Sequence, residues 1–211
     1  MLDSDAAKKI CQYCLLDELA SSLACSLDDF SVLPQLRYQL KINNREKSLE
    51  KLGSESALHE ASKLIGHSSE VEVSQGAANL LLELNQPDID SGEATLFAAT
   101  YETGGDFLSG DKRAFIAISK INGHDLIDAL WLQFICFDEA MLLLVNKCCF
   151  DHISGKVRSR PDVDTAMSIA FGRSAPSHRE ETLSALNSYI GSLVNNTAGK
   201  YQLKEHLLPS A

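Results

Sequence analysis

Short apolar runs alternate with stretches of helical periodicity through the first two thirds of this chain, and that alternation limits its possible folds more than any other feature. Residues 30–36, 106–109 and 131–137 read as short β-rich segments. Residues 6–23, 94–103, 112–120 and 139–147 place apolar side chains at intervals of three and four, the spacing of a helix with one buried face. Short strands that alternate with helices predict parallel βαβ units. The polar stretch 43–69 predicts one or two exposed helices, 71–73 a brief strand, and 77–84 a short apolar helix stopped by Pro87. After Phe150 the strand pattern is lost: 158–161 reads as a loop, and 178–194 as an amphipathic helix with Leu183, Leu186, Ile190 and Val194 on one face. The expected organisation is a domain over 1–149 and a C-terminal extension over 150–211 packed on it.

Composition narrows the function classes. With 45% hydrophobic and 23% charged residues the chain has a globular core, which excludes a disordered or collagen-like protein. Its net charge of −10 argues against broad electrostatic binding to nucleic acid or to an anionic membrane. The balance is uneven, −11 through Cys149 and +1 after it, with Lys156, Arg158 and Arg160 forming either a strip for phosphates or a plain charged loop. No apolar run approaches the ~18 residues of a membrane span, and Met1 leads directly into Asp3 and Asp5, so a cytoplasmic protein without a membrane partner is expected. The six cysteines read as reduced thiols. Cys11-x-x-Cys14 lacks the second pair that a zinc site needs, and the histidines have no partner at ligand spacing.

Three acids follow apolar runs or open helices: Asp3 after Met1-Leu2, Glu93 after a turn, and Asp111 after Phe107-Leu108-Ser109-Gly110. In an open parallel sheet, ligands bind beyond the carboxyl ends of the strands. Carboxylates gathered there would repel one another unless protonated or neutralised by a cation, and hard oxygen ligands select Mg²⁺ or Mn²⁺. Taken singly, each acid is better explained by capping, and the functional case rests on the three occurring together: Asp90-x-x-Glu93 fits a capping box, Asp111 an N-cap, and Asp3 or Asp5 a cap of the first helix.

The ordered set Leu2-Asp3-Ser4-Asp5, Asp90-Ser91-Gly92-Glu93-Ala94 and Leu108-Ser109-Gly110-Asp111-Lys112-Arg113-Ala114 resembles the PIN-like nuclease family over roughly residues 1–148. The resemblance implies an α/β fold, a three-layer α/β/α PIN-like domain with a central, mostly parallel sheet, followed here by a helical C-terminal extension. It implies Mg²⁺- or Mn²⁺-dependent hydrolysis of phosphodiester bonds, most often in single-stranded RNA. Asp3, Glu93 and Asp111 would be the catalytic, metal-holding acids, and Ser4, Lys112 and Arg113 would meet the nucleic acid. An antitoxin-like protein partner and a homodimer both stay open. Two departures stand out. Met1 and Leu2 alone precede the first acid, and Gln35, Arg37 and Gln39 occupy the region of the family's additional acid, with Glu46 the nearest substitute. Asp138 is a candidate further ligand. A catalytically silent PIN-like interaction module, and a haloacid-dehalogenase-like phosphatase using Asp3-x-Asp5, are the alternative readings.

Overall fold

Polar side-chain caps set where half of the described α-helices begin, as seen in a computed structural model that describes residues 1–72, 79 and 88–204. Asp3 caps α1 (Ser4–Gln12), which buries Ala6, Ala7, Ile10 and Cys11. Cys14 then adopts a left-handed φ of 56°, and the chain re-enters a helix as α2 (Leu16–Ser22). The single helix expected over 6–23 is thus broken. Leu15, Leu16 and Leu19 are as fully buried as Ile10, so the apolar spacing runs through the turn without marking it. β1 (Ser31–Val32) is followed by Pro34 and the one-turn α3 (Leu36–Gln39). Asn44 and Ser54 accept bonds from Lys47 N and Ala57 N, starting α4 (Arg45–Leu52) and α5 (Glu55–His67). The short β2 (Ser69–Glu70) precedes the strand expected over 71–73. Residue 73 and nearly all of the helix expected over 77–84 lie outside the described residues.

An Asp90–Glu93 capping box opens α6 (Ser91–Thr103), and Gly104 closes it in the left-handed conformation that glycine adopts without a Cβ clash. β3 (Phe107–Ser109), α7 (Lys112–Ser119), α8 (Asp125–Leu130), β4 (Phe134–Cys136) and α9 (Phe137–Lys147) follow. Beyond them lie α10 (Phe150–Arg158), α11 (Thr165–Ala170) and α12 (Arg179–Asn196). The loop expected over 158–161 therefore begins one residue late, after a helix that the residue pattern did not announce.

The strands overturn the expected fold class. Helix accounts for 61% of the structure and strand for 6%. Among the described residues the strands form two short two-stranded parallel sheets, β1 with β2 and β3 with β4. Single parallel bridges from Leu2 to Val32 and to Leu108 connect them. This is a mostly helical protein, not a three-layer α/β/α PIN-like domain built on a central parallel sheet. The apolar runs give only two or three residues to a strand: in 131–137, Trp131 to Gln133 form a turn and Phe137 already opens α9.

Phe97, Phe107, Phe115 and Phe134 meet in the core, with the Phe115 and Phe134 rings stacked at a centroid separation of 4.7 Å. The same core includes Ile153 and Val157 of α10 and Leu186, Ile190 and Leu193 of α12, which packs against α9. Leu193 thus joins the stripe expected on this helix, while Leu183 and Val194 lie at its partly buried edge. Tyr201 carries the chain back over the core: its hydroxyl donates to Glu139 and accepts from Cys136 N at 2.7 Å. All six cysteines are free thiols. Among the described residues, no helix is long and apolar enough to cross a membrane.

Candidate functional site

The N-termini of α1, α6 and α7 open on one cavity of about 320 Å³ whose walls include Asp3, Asp5, Asp90, Glu93 and Asp111. The backbone explains how the first and the last of these, distant in sequence, arrive together. Leu108 N donates to Met1 O and Asp3 N to Leu108 O, which lays the start of α1 alongside the end of β3. Gly110 permits the close approach, since a Cβ there would stand 2.2 Å from Asp5 Oδ2 and 3.2 Å from Ala6 N. Ser4 and Gly92 complete the rim, and Gln35 and Gln39 face the cavity from the region where the expected additional acid is missing.

Each acid is engaged by its own helix. Asp3, 6% exposed, accepts from Ala6 N at 2.6 Å through Oδ1, and from the Ser109 hydroxyl at 2.5 Å and Gly110 N at 3.0 Å through Oδ2. Burial raises its pKa above the usual carboxylate range, against the lowering effect of those bonds. Glu93 Oε2 accepts from Asp90 N at 2.8 Å, and Asp90 Oδ1 from Glu93 N at 2.8 Å. Burial, reinforced by the charges of Asp90, Asp111 and Asp3, pushes Glu93 up to about 7. Asp111 Oδ1 accepts from Arg113 N at 2.8 Å and its Oδ2 lies 2.6 Å from Arg113 Nη2, which holds Asp111 below the usual range.

The structure therefore brings Asp3, Glu93 and Asp111 to one cavity but not into one coordination sphere. Among the described residues, no three His, Cys, Asp or Glu side chains stand close enough to hold an ion. Capping directs each carboxylate towards its own helix N-terminus instead. The donor chemistry still fits a hard divalent cation: the side chains are oxygen ligands, they come from three separate segments, and their mutual repulsion, visible at Glu93, is what a cation relieves.

The expected phosphate contacts fare differently. Ser4 lines the cavity, and Arg113 is exposed apart from its pairing with Asp111. Lys112 turns away to the buried Asp138, with Nζ 2.5 Å from Oδ2, which removes both from the cavity's ligand set. The strip suggested for Lys156, Arg158 and Arg160 is occupied within the protein: Lys156 pairs with Glu18, Arg158 donates to Gly172 O, and Arg160 pairs with Asp162 and donates to Leu52 O. Asp5 and Asp90 are the site acids that residue order alone did not single out as ligands. Asp5 is held by Lys9, whose Nζ lies 2.7 Å from it and 2.8 Å from Asp164. No protein-family model, curated protein or solved structure matches this chain.

Proposed function

We propose that this protein binds Mg²⁺ or Mn²⁺ at the Asp3, Glu93 and Asp111 carboxylates and hydrolyses phosphodiester bonds in single-stranded RNA. The observation that carries the reading is the convergence of these three acids, from three distant segments, on one open cavity. A bound divalent cation supplies a lowered water pKa and neutralises developing negative charge.

The chain's own groups have definite parts. Asp3 is fixed by Ser109 and Gly110 and presents a carboxylate oriented by three protein donors. Glu93 releases its proton near neutral pH and must leave Asp90 N to act as a ligand. Asp111 must likewise part from Arg113, and the freed guanidinium then stands beside the cavity where a phosphate would lie. Ser4 provides a hydroxyl at the rim.

Thermal denaturation with increasing Mn²⁺ tests the proposal. The wild type should gain about 2.7 kcal/mol when the ion reaches a hundred times its dissociation constant. Asp111→Asn should show little gain over the same range. Absence of a shift in the wild type at millimolar Mn²⁺ would favour the silent interaction module, a reading supported by the capping role of all three acids.

A further inference from the structure

Most cations of this acidic chain are engaged internally, but a cluster that follows the cavity residues Gln35 and Gln39 in sequence is not. Residues 37–51 hold five cations against two acids, a local net of +3 in a chain of net −10. Arg45 pairs with Glu55. Arg37, Lys41, Lys47 and Lys51 make no side-chain ion pair among the described residues, in contrast to Lys9, Lys63, Lys112 and Lys156.

Local geometry gathers these groups. Lys41 takes a left-handed φ of 57° and its N–H bonds Tyr38 O, folding α3 tightly against the Asn44 cap of α4. Lys41, Lys47 and Lys51 consequently line, with the single acid Glu50, one shallow concavity of about 230 Å³. The same turn presents Gln35 and Gln39 to the acid-lined cavity, and between them Tyr38 is 65% exposed. Unpaired cations and an exposed ring thus follow closely in sequence on two amides that face the carboxylates, the combination of charge and stacking surface that holds a single strand.

We propose that α3, the turn after it and α4 form the docking surface for single-stranded RNA, with Lys41, Lys47 and Lys51 on its phosphates and Tyr38 stacking on a base. The choice of RNA rests on the hydrolytic reading above; the surface itself rests on charge complementarity.

Fluorescence anisotropy of a labelled oligouridylate, with the full chain in EDTA, tests the surface without requiring catalysis. The triple variant Lys41→Gln, Lys47→Gln, Lys51→Gln should bind at least about tenfold more weakly. Its log K against log salt slope should fall by about 2, at roughly 0.7 per phosphate contact. A control removing three other unpaired cations, Lys8→Gln, Lys120→Gln and Arg173→Gln, should keep most of the affinity. Unchanged melting temperatures in both variants establish that the fold is intact. Equal binding by the Lys41/Lys47/Lys51 variant and the wild type, equal weakening in the control, or no binding by the wild type would overturn the proposal, and tighter binding of the matching oligothymidylate would overturn the assignment to RNA. RNA binding that depends on Lys41, Lys47 and Lys51, without any Mn²⁺-dependent cleavage, would support this surface while removing the nuclease reading.

Discussion

Ser109 Oγ donates to Asp3 Oδ2 at 2.5 Å across 106 residues of sequence, tying the first helix cap to the end of β3. Both residues are buried, and Asp3 already has a raised pKa because of that burial. Ser109→Ala removes a donor from an acceptor that water does not readily replace. It should destabilise the protein by about 1–3 kcal/mol. The loss should be larger above the Asp3 pKa, where the carboxylate is ionised, than below it. Urea midpoints at acidic and alkaline pH check both statements, and equal midpoints for variant and wild type would show that the bond contributes nothing.

Gly110→Ala should be destabilising for a steric reason. The added Cβ would overlap Asp5 Oδ2 and press on Ala6 N, and Asp5 is held in place by Lys9. Overpacking of this kind costs about 1–3 kcal/mol. A lowered melting temperature is expected, whereas an unchanged one would mean that Asp5 moves aside freely.

Glu93 sets a pH dependence whose sign is defined. Its folded pKa of about 7 exceeds the ordinary glutamate value of 4.5, so the folded state binds the proton more tightly than the unfolded state. Its contribution therefore favours folding at low pH and is lost as pH rises through that window. Glu93→Gln keeps an acceptor for Asp90 N and abolishes the titration. The stability of the variant relative to wild type should increase from pH 4.5 to pH 7 and level off above. Parallel stability–pH curves for the two proteins would contradict the assignment.

Tyr201 tests how firmly the last described residues are joined to the core. Its hydroxyl serves Cys136 N and Glu139 at once, and Lys204 N adds a second bond to Glu139 at 2.7 Å. Tyr201→Phe leaves buried partners unsatisfied and should lower stability by about 1–3 kcal/mol. Hydrogen exchange at Cys136 and along α9 should accelerate in the variant. Unaltered protection would show that the tyrosine is not what secures this region.

Local chemistry made much of this legible before the structure. Asp90-x-x-Glu93 marked a capping box, Asp111 an N-cap, and Leu186 and Ile190 the buried face of α12. What failed depends on long-range packing. Cys14 turns the chain inside an unbroken apolar pattern, and helical α10 is hidden by Gly155 and its charges, although Ile153 and Val157 carry the spacing. Apolar runs such as 131–137 looked like strands because periodicity does not reveal how few of their residues find a parallel neighbour. In the site, the capping roles of Asp3, Glu93 and Asp111 were readable singly. The meeting of Asp3 with Asp111 arises from the Met1–Leu108 and Asp3–Leu108 backbone bonds, and the loss of Lys112 to Asp138 from a tertiary contact that neighbouring residues do not announce.

Cleavage of end-labelled single-stranded RNA by the wild type and by Asp111→Asn, each with Mn²⁺ and with chelator, tests the central claim most directly. Asparagine retains the N-cap acceptor, and the exposed pairing with Arg113 contributes little to stability, so folding should be preserved. The account predicts Mn²⁺-dependent cleavage by the wild type and a fall of at least roughly 10–100-fold in the variant, the scale found even for residues that only orient a metal ligand. Equal cleavage by both proteins, or none by the wild type with Mn²⁺, would contradict it.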